Sequence, residues 1–165
     1  MDIYLLRHSD AVDQNERGYT RDADRPLTEG GARKMKKIAK AVQEMGVSFD
    51  TILSSPYRRA KETAEIVGEV MECRSIIRLT PHLVVGESPT AIIKEINEDY
   101  PDSKRLLLVS HEPLLTHLIS VLISGRRDAS VRLKKGGLCK LAVDELHFGK
   151  CATLEWLMGP SQVLD

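Results

Sequence analysis

The run LLLV at residues 106–109 constrains the fold of this chain more than any other sequence feature. Four consecutive large apolar residues within Lys104–Ser110 are typical of a strand that is buried on both faces, as in the middle of a parallel sheet. Shorter apolar segments at Ile3–Leu6 and Phe49–Ser54 indicate two further strands, and helical spacing of apolar residues follows each strand. This alternation predicts one sheet with helices on both faces.

Capping residues place the element boundaries within this pattern. The predicted helix starts are Thr28, Ser55-Pro56, Ser88-Pro89 and Pro113, and Gly46 and Gly125 are the predicted ends of the first and last of these helices. The remaining predicted strands are Ser75–Leu79, Gly137–Val143 and Ala152–Met158. The sequence therefore predicts a three-layer α/β/α sandwich with a mostly parallel central sheet, as a single domain over residues 1–165.

Composition limits the classes of partner. Lys and Arg total 24 and Asp and Glu total 24, so the net charge is +0 and no overall field attracts nucleic acid or an anionic membrane. No apolar run reaches the length of a membrane span, and the N-terminus lacks the pattern of a signal peptide, so we expect a cytoplasmic protein without nucleic-acid or membrane partners. The three cysteines have no CxxC spacing, which predicts free thiols rather than disulfides or a zinc site.

Helix periodicity separates two adjacent arginines in the predicted second helix. Arg58 shares a face with the acidic residues Glu62, Glu65 and Glu69, whereas Arg59 shares a face with Thr63, Ile66 and Val70. We therefore expect Arg58 to be solvated and Arg59 to point inward, towards the carboxyl edge of the sheet. The alternative is that Arg59 only packs, with its aliphatic stem over the core.

Four cationic or ionisable residues follow three of the predicted strands. Arg7 and His8 follow the first strand, Arg59 lies one turn into the helix after the second, and His111 follows Lys104–Ser110. Ligands of parallel α/β sheets bind beyond the carboxyl ends of the strands, so these side chains are expected to form one pocket. Two arginines bind phosphate oxygens, helix-start N–H groups add to the field, and an imidazole serves as a nucleophile, which predicts phosphoryl transfer through a phosphohistidine. The alternative for His111 alone is a buried histidine at the end of a strand.

Five segments carry a family resemblance: RHS at residues 7–9, RPLT at 25–28, SSPYRRAKET at 54–63, VSHEP at 109–113 and ATLEWLM at 152–158. They are distributed from residue 7 to residue 158, so the resemblance extends over nearly the whole chain. The chain resembles the histidine phosphatase superfamily, in particular the SixA-type phosphohistidine phosphatases. The resemblance implies a phosphoglycerate mutase-like fold without a metal or an organic cofactor. It also implies that His8 is the nucleophile and that Arg7, Arg59 and His111 bind the phosphoryl group.

The chain departs from the family pattern at two points. Ser9 stands where the family usually has Gly, and its side chain is expected either to narrow the approach to the phosphate or to add a contact. No acidic insertion supplies a general acid, so Glu87 is the first candidate by position and Asp10 the second. Arg21, in the polar loop Asp10–Arg25, is a further candidate for substrate binding, although a loop arginine is more often only solvated.

These observations predict a metal-independent phosphatase that dephosphorylates protein phosphohistidine through His8. A small-molecule phosphomonoesterase or mutase of the same superfamily, and a weakly catalytic module that binds phosphorylated ligands, are the alternatives. His82, His117 and His147 lack such neighbours and are expected to be surface or packing residues. The pairs at 126–127 and 134–135 are expected to be solvated charge.

Overall fold

The computed structural model describes residues 1–15 and 18–164 of the chain. The described strands are β1 (Asp2–Arg7), β2 (Thr51–Ser54), β3 (Ile77–Leu79), β4 (Arg105–Ser110), β5 (Leu138–Val143) and β6 (Ala152–Met158). The described α-helices are α1 (Glu29–Glu44), α2 (Arg58–Val70), α3 (Pro89–Asp99), α4 (Leu114–Ser124) and α5 (Pro160–Leu164).

The six strands form one sheet in the order β3-β2-β4-β1-β5-β6. The first four are parallel to one another, β5 is antiparallel to β1, and β6 is antiparallel to β5. The side chains at residues 106–109 of β4 have no exposed surface, as the continuous apolar run predicts. The predicted mostly parallel sheet is therefore confirmed. The neighbouring strands β1 and β4 end side by side.

Two hydrophobic clusters lie on opposite faces of the sheet. Ile3 and Leu5 of β1 pack with residues of α3 and α4, whereas Tyr4 and Leu6 pack with residues of α1 and α2. Alternate residues of a strand point to opposite faces, so β1 contributes to both clusters. This arrangement confirms the three-layer α/β/α sandwich.

Side-chain capping confirms two of the predicted helix starts. The Thr28 hydroxyl accepts a hydrogen bond from the Gly31 N–H at 2.9 Å, and the Ser88 hydroxyl accepts one from the Thr90 N–H at 3.3 Å. Gly125 follows α4 with φ of 79°, a left-handed conformation that glycine adopts without strain. These caps fix where α1, α3 and α4 meet the loops around the carboxyl edge.

The predicted start of the second helix is wrong. Helix α2 begins at Arg58, and its N-cap residue Tyr57 makes no side-chain capping bond. Ser55 lies before the helix, where its Oγ accepts from the Tyr57 N–H at 3.2 Å and contacts His111. Strand β3 is also shorter than predicted, because a 3₁₀ turn at Arg74–Ile76 occupies its expected first residues.

The loop between β1 and α1 returns to the carboxyl edge of the sheet. An isolated bridge joins Ala11 to Leu27, and a 3₁₀ turn spans Asp22–Asp24. Residues 16 and 17 of this predicted loop lie outside the described residues. Among the helices described, none has the length and apolarity that crossing a bilayer requires. The three cysteines are free thiols, as predicted.

Candidate active site

The predicted pocket lies where β1, β4 and β2 end. Arg7 pairs with Ser110 in the parallel ladder of β1 and β4, and the His8 N–H donates to the Ser110 carbonyl at 3.1 Å. The register therefore brings the two residues after the strands together. The ring centroids of His8 and His111 are 5.1 Å apart, and both side chains are buried.

The backbone holds His8 in one tautomer. Its Nδ1 lies 2.7 Å from the Ser9 carbonyl oxygen, which can only accept, so Nδ1 carries the proton and donates it. Arg59 Nε donates to His8 Nε2 at 3.2 Å, which requires a lone pair on Nε2. Burial lowers the pKa of His8 to about 4, and the charges of Arg59 and Arg7 act in the same direction. The ring is therefore neutral at pH 7, with a nucleophilic Nε2.

Arg59 is the most buried arginine of the pocket, with 3% of its side chain exposed, and the helix-face prediction is confirmed. Its Nη1 donates to the Asp22 carbonyl at 2.8 Å, and its Nη2 donates to the Asp22 carboxylate at 2.9 Å. Because Nε donates to His8, each of the three guanidinium nitrogens makes a hydrogen bond. Arg58, by contrast, is half exposed and pairs with Glu62 at 2.7 Å.

Asp22 links Arg59 to a second arginine from the same loop. Arg25 places Nε and Nη2 at 2.9 and 2.7 Å from the other Asp22 oxygen, and its Nη1 donates to the Val12 carbonyl. Partial burial acts against the charged form of Asp22, but the hydrogen bonds from both arginines lower the pKa of this carboxyl below its usual value. Asp22 is therefore a fixed anion that orients Arg59.

His111 is held by the segment before α2. Its Nε2 lies 2.8 Å from Ser55 Oγ, and the Tyr57 ring lies against it with centroids 5.1 Å apart. Burial, together with the nearby charge of Arg59, lowers the pKa of His111 to about 2. His111 is therefore also a neutral imidazole at pH 7.

Three buried polar side-chain atoms lack a hydrogen-bond partner within the described residues, and all three belong to this pocket. They are Arg7 Nε, His111 Nδ1 and Glu112 Oε1. Arg7 Nη1 donates to the Leu133 carbonyl at 3.0 Å, while the other Glu112 oxygen accepts from the Thr116 hydroxyl. Burial raises the pKa of Glu112, although the Thr116 bond and the charge of Arg7 oppose the shift. Buried polar groups are almost always paired, so this side of the pocket is chemically unsatisfied.

Ser9 turns its side chain away from the position expected for a substrate contact. Its Oγ donates to the Gly31 carbonyl at the start of α1 at 2.8 Å, and its N–H donates to Thr63 Oγ1 at 3.2 Å. The residue has no exposed surface. The first turn of α1 thus accommodates the serine that replaces the usual glycine.

The remaining predicted site residues lie outside this network. Glu87 is exposed, and within the described residues its side chain makes no hydrogen bond or ion pair. Arg21 is 74% exposed and lies 3.8 Å from Asp24. The Asp10 carboxylate pairs with Lys34 of α1. The structure brings together Arg7, His8, Arg59 and His111, and it does not bring Glu87, Asp10 or Arg21 into contact with them.

Comparisons with known proteins identify the family of this chain. A family model of the histidine phosphatase superfamily (branch 1) matches residues 3–83. An uncharacterized protein of Picosynechococcus sp. is 35% identical over 149 residues, which cover 86% of this chain and 84% of that protein. The chain belongs to the histidine phosphatase superfamily. The phosphohistidine phosphatase SixA of Escherichia coli is 27% identical over 164 residues, covering 97% of this chain and 94% of the relative.

The fold of this superfamily member is also that of a solved SixA structure. The protein histidine phosphatase SixA complexed with tungstate superposes with a TM-score of 0.86 at 24% identity, and the match covers 99% of both chains. The expected phosphoglycerate mutase-like fold is thereby confirmed. In the described part of the chain, no three His, Cys, Asp or Glu side chains are grouped as a metal site would require.

Four residues of this pocket were not predicted from the sequence: Asp22, Arg25, Ser55 and Glu112. Arg25 was within reach, because it opens the RPLT segment that carries part of the resemblance. Glu112 lies in VSHEP, directly after His111, and the same resemblance could have drawn attention to it. Asp22 had no signal beyond its place in a polar loop. Ser55 was interpreted as a helix cap, because a serine before a proline has the same signature.

Proposed function

We propose that this protein is a phosphatase that takes a phosphoryl group from a protein phosphohistidine onto Nε2 of His8 and then transfers it to water. One observation carries the proposal: Nδ1 of His8 donates to the Ser9 carbonyl, so Nε2 keeps its lone pair beside Arg59. The superfamily contains phosphatases and mutases. The protein substrate and a cytoplasmic location, which suits three free thiols, belong to the proposal.

The first step forms a bond between His8 Nε2 and phosphorus while the phosphorus–nitrogen bond of the substrate breaks. If the other nitrogen of the leaving imidazole already carries a proton, the ring departs neutral and no general acid is needed. The Nδ1–H of His8 continues to donate to the Ser9 carbonyl, and this carbonyl oxygen stabilises the positive charge that develops on the ring. Arg7, Arg59 and His111 are proposed to bind the phosphoryl oxygens.

The second step transfers the phosphoryl group to water. The water oxygen bonds to phosphorus, the bond from phosphorus to Nε2 breaks, and its electron pair returns to Nε2. The water protons remain with the inorganic phosphate and the solvent. His8 thereby regains the neutral tautomer that the Ser9 carbonyl holds in the free protein.

Glu112 favours a second candidate function, hydrolysis of small phosphomonoesters. An alkoxide leaving group needs a proton donor, and a carboxyl group with a raised pKa beside His111 suits that role. Glu87, the donor proposed from its position in the chain, is exposed, whereas Glu112 is partly buried. A sugar phosphate as the preferred substrate would support this candidate.

Rapid-quench trapping tests both candidates. Wild-type protein is mixed with a peptide carrying labelled phosphohistidine, and we expect acid-labile, base-stable label at His8 that rises and decays with turnover. The His8→Ala variant should incorporate no label, whereas His147→Ala, at an exposed loop position, should behave as wild type. A His8→Ala variant with full turnover would contradict the mechanism. Faster turnover of a sugar phosphate than of the peptide, reduced by Glu112→Gln, would favour the second candidate.

A further inference from the structure

The loop between α4 and β5 concentrates positive charge in a protein whose net charge is +0. Residues 126–135 contain Arg126, Arg127, Arg132, Lys134 and Lys135 and a single acidic residue, Asp128. We call residues 126–135 the basic segment. All five of its cationic residues are exposed.

The basic segment borders the nucleophile. Its Leu133 carbonyl accepts from Arg7 Nη1, and the next backbone N–H after the segment, that of Gly136, lies 3.0 Å from the Arg7 carbonyl and 3.2 Å from the His8 carbonyl. Lys135 is close enough for its charge to contribute to the lowered pKa of His8. A ligand with its phosphoryl group at His8 would therefore lie next to this loop.

A surface cavity of about 550 Å³ lies between the basic segment and α4. Its lining includes Arg127 and Arg132 from the loop and Thr116 and His117 from the helix. Thr116 also donates its hydroxyl to Glu112, the residue after His111. The hydrogen bond between Thr116 and Glu112 thus connects the lining of the cavity to the pocket.

The cations of this segment are less neutralised than those of the pocket. Arg126 pairs with Asp128 at 2.7 Å, and Arg127 lies over the exposed ring of Phe148, with its Cζ 5.8 Å from the ring centroid. Within the described residues, Arg132, Lys134 and Lys135 have no carboxylate at ion-pair distance. Exposed cations that lack partners next to an active site attract and orient an anionic partner.

We propose that the basic segment docks a carboxylate-rich surface of the substrate protein that surrounds its phosphohistidine. This inference rests on the proposed function and names the substrate class more closely. The cations are spread along ten residues of an exposed loop, so a protein surface can meet several of them while a small metabolite meets only one or two. The exposed Phe148 adds an apolar contact at the far end.

Two synthetic peptides test the proposal, each carrying one phosphohistidine, flanked by Glu in one and by Gln in the other. For wild-type protein at low salt we expect kcat/KM on the Glu peptide to exceed that on the Gln peptide by about tenfold, mostly through KM, and the ratio to fall as salt screens the charges. The double variant Arg132→Gln/Lys134→Gln should lose this preference and turn over the Gln peptide as wild type does. The matched control Lys36→Gln/Lys37→Gln, on exposed positions of α1, should keep it.

An equal preference in the loop variant and the wild type would overturn the proposal, and so would an equal loss in the α1 control. If the loop variant instead loses turnover of 3-phosphoglycerate while keeping the peptide preference, the cavity binds small carboxylates and docking of a protein is wrong. Calorimetric titration with the unphosphorylated peptides separates docking from catalysis. Tighter binding of the Glu peptide supports docking even if neither phosphopeptide is hydrolysed, whereas equal binding contradicts it.

Discussion

The two arginines of the pocket are held in opposite ways. Arg59 is almost fully buried, and three of its five N–H groups donate to His8 Nε2, to the Asp22 carbonyl and to the Asp22 carboxylate. Arg7 has one hydrogen bond, to the Leu133 carbonyl, and its buried Nε has no partner within the described residues. The side of the pocket around Arg59 is therefore organised before a ligand arrives, whereas the side around Arg7 still has polar atoms to satisfy.

This difference suggests separate roles for two residues that sequence comparison treats alike. We infer that Arg59 positions the nucleophile and stabilises the transferring group, since its Nε already contacts Nε2 of His8. Arg7, with His111 Nδ1 and Glu112 Oε1 also unpaired nearby, contributes mainly to binding the phosphoryl oxygens. Preorganised groups affect the rate of the chemical step, whereas uniform binding groups affect substrate affinity.

The largest expected effect comes from exchanging each arginine for lysine. A lysine ammonium cannot reproduce the three-sided contacts of Arg59, so Arg59→Lys should lower kcat by about a hundredfold with a smaller change in KM. Arg7→Lys should instead raise KM and weaken tungstate binding by about tenfold, with a smaller change in kcat. Steady-state kinetics and tungstate inhibition measure both variants. Identical changes in kcat and KM for the two would remove the distinction between the sides.

Sequence reasoning predicted the residues whose positions follow from periodic elements. Strand ends place Arg7, His8 and His111 at one edge, and helix periodicity separates Arg59 from Arg58. Asp22 escaped prediction because an irregular loop carries it to Arg59, and no periodicity describes that path. The hydrogen-bond partner of Ser9 could not be predicted from the sequence either. Ser9 Oγ donates to the Gly31 carbonyl, and only the folded chain brings these two segments together.

A smaller effect is expected from Asp22→Asn, which tests whether the Asp22 contacts are what make the Arg59 side rigid. The amide keeps the shape but loses the charge that binds Arg59 and Arg25, so Arg59 should gain freedom and kcat should fall by about tenfold. A role in positioning also predicts tighter tungstate binding, because Nη2 of Arg59 is no longer held by a carboxylate and becomes available to an oxyanion. The control Asp24→Asn removes a neighbouring exposed carboxylate. Unchanged tungstate affinity with reduced stability alone would make Asp22 only structural.

The smallest expected effect is on the pH dependence of stability. It depends on His8, on the Arg59 side of the pocket, and His111, on the Arg7 side, which are both neutral at pH 7. Burial lowers the pKa of His8 to about 4 and that of His111 to about 2, whereas an unfolded histidine titrates near 6.5. Between these values the unfolded chain binds more protons than the folded protein, so the free energy of unfolding should fall as the pH drops from 6.5 towards 4. Each histidine contributes a slope of about 1.4 kcal/mol per pH unit in this window.

Denaturant unfolding between pH 7 and pH 5 measures this slope for the wild type and for His8→Gln and His111→Gln. Each variant removes one depressed imidazole, so its stability should depend less steeply on pH by about one proton. Asp22, whose pKa is lowered by the two arginines, loses its stabilising charge only as the pH falls through that lowered value, below the window measured. A wild-type slope retained in both variants would mean that the histidines are already solvated in the free protein. The organised side of the pocket would then need the ligand to form.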